Sequence, residues 1–443
     1  MDIWKSIIEL LGIQHTDIED VKLFRKECRA EITLRYRLEN SHCAECLGKL
    51  ERIHDWQFRQ VSGPPLGVFG QVKLRLYFPR AYCINCRKNQ PAVIPWIHPH
   101  CPSMSCGFAE VVGRLMEETT CEAAARLLAA NSRTLWELDQ FRMQMMLERM
   151  KLPKDLDLSY LSADEVHFRT IWIENRKGPF AKRWEAQFVT NLVSYNDGKV
   201  LFNALGRGSD SLKGALSILS PGQKLSVEKF AVDMHDAFIS VAKKECPNAE
   251  ICVDRFHLAQ QVNKSFDAVR KEEFKNAQTN KDLFVEGMLS PSRRFVLIER
   301  EKSLTRMEMK MLYRLRELNK NIHSAMLLVE YFHTMLDKMA VIPFRKSLLN
   351  WYLLVRESKL KPFRKLAMTI IRYRTHIEAY IKSRLTTAVS EGLNNKIKTL
   401  KKMGYGYSNP VSFRNKILQR CGYLNHYSIN TNDLFYKVPN PNL

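Results

Sequence analysis

Long apolar runs are missing from this sequence, and their absence argues against a transmembrane helix. No stretch approaches the roughly 18 consecutive apolar residues that a transmembrane helix needs, so we expect no membrane span. The N-terminus, MDIWKSIIELLGIQ, lacks the basic first region and the small-residue cleavage site of a secretory signal. Internal repeats and low-complexity tails are also missing. We therefore expect a folded cytoplasmic protein.

Acidic residues are few relative to basic ones. The 443 residues include 69 Lys and Arg against 47 Asp and Glu, which gives a formal net charge of +22. An excess of this size favours a polyanionic partner, most simply nucleic acid. The alternative is a protein kept soluble by surface lysine. Hydrophobic residues make up 45% of the chain, which is enough for folded cores, and the length suggests roughly two to four domains.

The cysteines are clustered and odd in number, which argues against a disulfide framework. Eight of the 11 cysteines precede residue 122. In a basic chain without a secretory signal, such clustering favours metal ligation. Two CxxC pairs, Cys43 with Cys46 and Cys83 with Cys86, offer four thiolates, the number that completes a tetrahedral zinc shell. The sequence therefore predicts a zinc site here, with ordinary buried cysteines as the alternative.

The segment after the cysteines has the pattern of a helix-turn-helix. ETTCEAAARLLAA predicts the first helix, the Asn-Ser pair at 131–132 predicts the turn, and RTLWELDQFRMQ predicts the recognition helix. In such a motif the start of the second helix meets base edges in the major groove. We expect Arg133, Thr134 and Glu137 to meet bases and Arg142 to contact a phosphate.

From residue 158 the pattern changes to short apolar runs that alternate with helices. The order β-β-β-α-β-α-β predicts a mixed sheet with flanking helices, and residues 258–385 then have helical periodicity almost throughout. Three of the apolar runs end in carboxylates, at Asp164, Asp233 and Asp254. Turn chemistry is one explanation, and a metal-dependent site that acts on phosphates is another.

Two of these carboxylates are expected to meet. In a mixed sheet of this order the strands of Asp164 and Asp233 can be neighbours, and two close carboxylates are costly unless a cation shares them. Mg²⁺ prefers oxygen ligands of this kind. The helix SEGLNNKIKTLKKM supplies a third carboxylate, Glu391, on one face with Asn394, Asn395, Lys398 and Lys402. The alternative for that face is ordinary solvation.

Taken together, these motifs resemble those of bacterial insertion-sequence DDE transposases of the ISL-three family. Besides the CxxC pairs and the helix-turn-helix, the resemblance is carried by ADE at 163–165, VDMHDAF at 232–238, PNAEICVDRFH at 247–257 and SEGLNNKIKTLKKMGYGY at 390–407. Their order and spacing fit from about residue 40 to 425. The resemblance implies a ribonuclease-H-like core with an all-helical insertion before the glutamate. It also implies a catalytic triad of Asp164, Asp233 and Glu391 that binds Mg²⁺ or Mn²⁺.

The roles of Asp254, His257 and Trp351 are each open to two interpretations. We favour Asp233 over Asp254 as the second metal ligand, because the expected strand order places Asp233 beside Asp164. His257 either orients a phosphate or protonates a leaving group, or it bonds a backbone group at a helix start. Trp351 either stacks on an unpaired base or belongs to the core of the helical segment.

The expected fold class is multi-domain α+β. We expect a zinc-finger domain at 1–103 and a helix-turn-helix domain at 104–152. A ribonuclease-H-like α/β core at 158–257 is interrupted by a helical insertion at 258–385 and resumes in the C-terminal helices and tail at 386–443.

The resemblance implies that the protein binds the terminal inverted repeats of its insertion sequence. It would cleave the ends by metal-dependent hydrolysis and join the 3′-hydroxyls to target DNA. DNA is the expected partner, with Lys398 and Lys402 on its phosphates, and the expected location is the bacterial cytoplasm at the nucleoid. At least a dimer is expected, because two ends must be brought together. The alternative is a DNA-binding regulator, derived from a transposase, that no longer cleaves.

Overall fold

A computed structural model describes most of the chain. The described residues are 3–174, 182–291, 305–384, 388–404 and 407–424. The chain divides into two compact units, one made of Met1–Lys151 with Thr399–Leu443 and the other of Leu152–Lys398. The segment 386–443 is therefore shared between the two units. Among the described helices, none has the length and apolar character that crossing a membrane requires.

The first unit begins with a five-stranded sheet. Its elements are α1 (Ile3–Leu11), β1 (Thr16–Phe24), β2 (Arg29–Tyr36), β3 (Leu50–Gly63), β4 (Gln71–Cys83) and β5 (Lys88–Pro91). The strand order is β1-β2-β4-β3, with β5 paired to β4, and only the β2–β4 pair is parallel. Alternate residues of β2 and β4, from Ala30 to Tyr36 and from Val72 to Phe78, are buried. This period of two buries one face of the sheet and leaves the other toward solvent.

A helical group completes the first unit. Its elements are α2 (Cys106–Glu118), α3 (Cys121–Leu128) and α4 (Ser132–Arg149), and, at the end of the chain, α16 (Pro410–Cys421). The predicted break at Asn131 is confirmed, because the Asn131 side chain caps α4 by accepting from the amides of Arg133 and Thr134. Lys416 of α16 forms a buried ion pair with Asp139 of α4.

The second unit contains the predicted mixed sheet. Its strands are β6 (Tyr160–Glu174), β7 (Lys182–Ser194), β8 (Lys199–Leu205), β9 (Lys229–Val232) and β10 (Glu250–Val253), in the order β10-β9-β6-β7-β8. The pairs β6–β7 and β7–β8 are antiparallel, whereas β6–β9 and β9–β10 are parallel. The helices α5 (Ser209–Leu216), α6 (Pro221–Leu225) and α7 (Asp236–Glu245) connect these strands. The strand that carries Asp164 is therefore central.

Helices make up most of the remaining described residues of this unit. They are α8 (Arg255–Asn280), α9 (Leu283–Leu289), α10 (Arg306–Leu318), α11 (Lys320–Lys338), α12 (Val341–Ser358), α13 (Lys361–Arg372), α14 (Arg374–Ser383) and α15 (Ala388–Met403), of which α15 runs on past the unit's last residue. Trp351 lies in their core with no exposed surface. Its indole N–H donates to the Leu328 carbonyl at 2.9 Å, and its ring centroid is 5.1 Å from that of Phe332. The predicted DNA contact of Trp351 is therefore wrong, because a ring enclosed in this way has no free face for a base.

Candidate active site and cysteine cluster

Asp164 lies on β6, and Asp233 directly follows the neighbouring strand β9. The last pair of the β6–β9 register is Ser162 with Ala231, so two further residues along each strand bring Asp164 beside Asp233. Burial raises the pKa of the Asp164 carboxyl, and the Asp233 carboxylate raises it further, against the lowering effect of the Glu165 amide, His257 and Asn394. The two carboxylates therefore lie close enough to repel each other, as expected for a pair that shares a cation.

Asp254 lies one strand further from Asp164, and its side chain caps a helix. It follows β10, which pairs with β9 and not with β6. Its carboxylate accepts from the Phe256 amide at 2.8 Å and so caps the N-terminus of α8. The side chain of Asp254 is 9% exposed, whereas that of Asp233 is 39% exposed. Asp233 is thus the more accessible of the two carboxylates.

His257 lies between these two aspartates. Its Nδ1 is 3.5 Å from Oδ1 of Asp233, and its Nε2 is 3.6 Å from Oδ2 of Asp254. A protonated imidazole at this position would attract both carboxylates. With 23% of its side chain exposed, His257 remains accessible from solvent at the carboxyl ends of the parallel strands.

Helix α15 is attached to the central strand by Asn394, which the sequence places on the same helix face as Glu391. Asn394 donates its amide hydrogen to Oδ2 of Asp164, while Oδ1 of Asp164 accepts from the Glu165 amide at 2.7 Å. The backbone of Glu391 lies one turn before Asn394 in α15, on the same helix face. The side chain of Glu391 is outside the described residues. Lys398, one turn after Asn394 on this face, is exposed.

Two further contacts connect the helical segment to the ends of β9 and β10, which Asp233 and Asp254 follow. Asp236, three residues after Asp233, accepts from the Tyr373 hydroxyl at 2.6 Å and pairs with Arg372. Arg255, next to Asp254, makes a bidentate pair with Asp337 of α11, with both N–O distances at 2.8 Å. Bidentate pairs fix geometry as well as charge. Together, the Asp236 contacts and the Arg255–Asp337 pair hold α8, α11 and α13 beside the ends of β9 and β10.

The four cysteines of the CxxC pairs meet as predicted. Their sulfurs all lie within 4.8 Å of one another, with 3.8 Å between Cys43 and Cys86 and 3.4 Å between Cys46 and Cys83. A tetrahedral ion with metal–sulfur bonds of about 2.3 Å would separate its sulfurs by roughly 3.8 Å. Among the described residues, this is the one group of three or more metal-ligand side chains that is close enough to share an ion.

The backbone around these cysteines suits thiolates. The amides of Glu45 and Gly48 each point at a cysteine sulfur at 3.4 Å. Each CxxC pair is followed by a residue in the left-handed region, Leu47 at φ 58° and Arg87 at φ 52°. The two turns are therefore alike. A Cβ on Gly48 would approach the Asn85 side-chain nitrogen to 2.6 Å, so a larger residue here would displace the Asn85 side chain.

The sulfurs also affect one another electrostatically. Hydrogen bonding to the Cys46 sulfur, followed by burial, raises the pKa of the Cys86 thiol. Four thiolates this close repel strongly, and a divalent cation offsets that repulsion. The donor set, its distances and its backbone amides fit zinc.

The predicted recognition helix presents only some of its predicted contacts. The side chain of Arg133 is 87% exposed and lies 3.2 Å from Glu137 on the next turn, and Thr134 is half-buried. Arg142, expected on a phosphate, is only 11% exposed and pairs with Glu117 at 2.8 Å. The placement of Arg142 corrects that expectation, because its guanidinium packs inside the helical group and joins α4 to α2.

The chain resembles known proteins over most of its length. A protein-family model of the ISL-three DDE type, described as a transposase, matches residues 180–417. The transposase of insertion sequence element IS1001 from Bordetella parapertussis is 22% identical over 376 residues, which cover 85% of this chain and 87% of that protein. The transposase of IS1557 from Mycobacterium tuberculosis (strain CDC 1551 / Oshkosh) is 21% identical over 432 residues, or 90% of this chain and 91% of that protein.

Proposed function

The chain belongs to the ISL-three family of DDE transposases, and from this we propose that it cuts DNA at the ends of its own insertion sequence and joins the freed 3′-hydroxyls to target DNA. The observation that carries the proposal is the meeting of three elements. Asp164 and Asp233 end up side by side on β6 and β9, and Asn394 attaches the Glu391 helix to Asp164. We assign the roles of the triad to Asp164, Asp233 and Glu391.

We assign a ribonuclease-H-like fold to the core of the second unit. The sheet order β10-β9-β6-β7-β8, with three antiparallel strands followed by two parallel ones, supports this assignment. The carboxylates lie at the central strand and its parallel neighbour, where the crevice outside the carboxyl ends of parallel strands accepts ligands. The helices between β10 and α15 would be the insertion that separates Glu391 from the two aspartates.

The carboxylates fit hard divalent cations. Mg²⁺ or Mn²⁺ would be held by the oxygens of Asp164, Asp233 and Glu391, and the raised pKa of Asp164 reflects the unfavourable burial of its charge that a cation would offset. When bound, two such ions activate an attacking oxygen and stabilise the leaving one. Asn394 and the Glu165 amide fix the two oxygens of Asp164. His257 would orient the scissile phosphate or protonate the leaving oxygen.

The first unit would supply recognition of the DNA ends. Zinc in the Cys43, Cys46, Cys83 and Cys86 cluster would hold the loops between the strands, and Arg133 and Thr134 at the start of α4 would meet base edges. The exposed Lys398 and Lys402 would contact phosphates, in keeping with the net charge of +22. Because both ends of the element must be brought together, we propose at least a dimer on DNA, acting on the chromosome in the bacterial cytoplasm.

A strand-cleavage assay tests this function. The purified full chain, with Mg²⁺ or Mn²⁺, is given labelled DNA that spans the border of the element. We expect Asp164→Asn, Asp233→Asn and Glu391→Gln to abolish cleavage while binding of the DNA end persists. Asp254→Asn is the matched control, because asparagine caps a helix as well as aspartate does. It should retain cleavage.

The outcomes separate the alternatives. Cleavage retained in Asp164→Asn would contradict the triad. Cleavage lost in Asp254→Asn but kept in Asp233→Asn would transfer the second ligand to Asp254. Sequence-specific binding by the wild type without cleavage in either metal would support the regulator instead of the transposase.

A further inference from the structure

The exposed face of the first sheet carries an unusual set of side chains. Directly paired residues of neighbouring strands lie on the same face of a sheet, and Arg35, Tyr77 and Phe58 form one such row across β2, β4 and β3. On the same face, Lys73 and Arg75 precede Tyr77 on β4, and Trp56 precedes Phe58 on β3. We call these six residues the aromatic face.

Rings and guanidinium groups alternate across this face. The ring centroids of Phe58 and Tyr77 are 5.2 Å apart. The guanidinium carbon of Arg35 lies 4.7 Å from the Trp56 ring centroid, and that of Arg75 lies 5.7 Å from the Phe58 centroid. These contacts hold the rings in place on a rigid sheet, so little side-chain entropy remains to be lost when a flat ligand stacks on them.

The face is open to solvent. Phe58 is 51% exposed and Trp56 is 37% exposed, although both are large side chains that folding usually buries. The opposite face of the same strands is filled by core residues such as Leu74 and Leu76, which have no exposed surface. The alternation of β3 and β4 therefore places the aromatic residues on the side that the core does not use. Contiguous exposed rings of this kind mark binding surfaces.

The charge on the face favours one kind of partner. Among the described residues, Lys73 and Arg75 form no ion pair: Glu31, which lies opposite Lys73 on β2, is paired with Arg29 instead. Arg35 is paired with Glu19. Two unneutralised cations beside a row of rings match a chain of phosphates with flat bases attached. Sheets that combine stacking rings with such cations bind single-stranded nucleic acid, because unpaired bases expose their faces and paired bases do not.

We propose that the aromatic face binds an unpaired DNA strand, with bases stacked on Trp56 and Phe58 and phosphates on Lys73 and Arg75. The proposal rests on the proposed function for the origin of that strand, since cutting one strand at the end of the element frees a segment that can unpair. It assigns this sheet a role separate from that of α4, which would read the duplex.

The test compares DNA forms with the full-length protein. Fluorescence anisotropy gives the Kd for a labelled 20-nucleotide oligo(dT), chosen as a single strand without structure, and for a duplex of the element's end. Phe58→Ala should weaken oligo(dT) binding by roughly 5- to 100-fold, the effect of losing one stacked base, and leave duplex binding unchanged. Arg75→Gln should weaken oligo(dT) binding and reduce its dependence on salt.

Leu23→Ala is the matched control. Leu23 is apolar and 51% exposed, as Phe58 is, but it pairs with Ala30 on the opposite face of the sheet. Its loss should leave the oligo(dT) affinity unchanged. Thermal midpoints and zinc content of all variants, compared with wild type, show whether the first unit has folded. Phe58→Leu keeps an apolar side chain without a flat ring, and it should weaken oligo(dT) binding even where Phe58→Ala does not fold.

Several results would overturn the proposal. These are an unchanged oligo(dT) affinity in folded Phe58→Leu and Arg75→Gln, or an equal loss for duplex and single strand. A change in sedimentation without a change in oligo(dT) affinity would assign the face to a protein contact instead. The proposed function is tested separately, because Glu391→Gln should lose cleavage and keep oligo(dT) binding. A protein that binds oligo(dT) through this face but never cleaves would refute only the transposase activity.

Discussion

The buried ion pair between α4 and α16 offers a sharp test of how the first unit is held together. Asp139 is 1% exposed and Lys416 is 9% exposed, and their charged atoms are 3.0 Å apart. The Lys416 ammonium also donates to the Met116 carbonyl at 2.6 Å, and Gln419 donates to the other oxygen of Asp139 at 3.3 Å. Lys416 thus links α16 to both α2 and α4.

Lys416→Met removes the cation and leaves the carboxylate buried. Removing one member of a buried pair costs about 3–5 kcal/mol, because the remaining charge has neither water nor a partner. The Met116 carbonyl loses its donor as well, at roughly 1 kcal/mol. We therefore expect the free energy of unfolding of the first unit to fall by an amount in the upper part of that range.

Hydrogen exchange is the suitable assay, because a chain of two units need not unfold in one step. Amides of α4 and α16 should exchange roughly 1,000- to 5,000-fold faster in Lys416→Met, the factor that corresponds to the lost free energy. Lys402→Met, at an exposed lysine of α15, should leave their exchange unchanged. In Asp139→Leu with Lys416→Met, which replaces the pair by apolar groups, protection should largely return. Exchange within tenfold of wild type in Lys416→Met would refute the reasoning.

Two further predictions concern the first unit. Elemental analysis should find about one zinc per chain in the wild type, none bound tightly in Cys46→Ser, and unchanged content in Cys28→Ser, an exposed cysteine outside the cluster; zinc retained by Cys46→Ser would rule out a four-sulfur site. Burial lowers the pKa of His98 to about 4, below its unfolded value, so its neutral form contributes stability that is present above pH 6.5 and lost as the pH falls toward 4. That contribution is roughly 3 kcal/mol, and the thermal midpoint of His98→Gln should fall less than that of wild type between pH 7 and pH 5; parallel curves would contradict it.

Local periodicity explains why much of the second unit could be predicted from the sequence. Short apolar runs ending in Asp164, Asp233 and Asp254 have the length of buried strands, and the helices along this part of the chain allow some of these strands to pair in parallel. That order allows Asp233 to lie beside Asp164 with Asp254 one strand away, and the sheet has this strand order. The CxxC spacing works in the same way, because a tight turn brings its two sulfurs together whatever the rest of the fold does.

Contacts between distant segments could not be predicted in this way. The side chains of Trp351 and Arg142 are of types that contact DNA or pack in a protein interior. Which of the two occurs depends on the residues that surround them in the fold. For Trp351 the neighbours are Phe332 and the Leu328 carbonyl, and for Arg142 the neighbour is Glu117. No period in the sequence encodes these pairings, since each depends on how separate helices pack.

The same limit applies to the parts of the chain that would serve the reaction. Asn394 bonds Asp164 across 230 residues and Lys416 bonds Asp139 across 277, so both ends of the C-terminal region are fixed by partners far away in sequence. The Asn394 contact fixes the backbone of α15 one helical turn from Glu391. The Lys416 contact joins α16 to the helices that would bind DNA. Each end of this region is thus anchored by a polar contact within its own unit, and a substitution at either anchor should impair one unit's task and leave the other's intact.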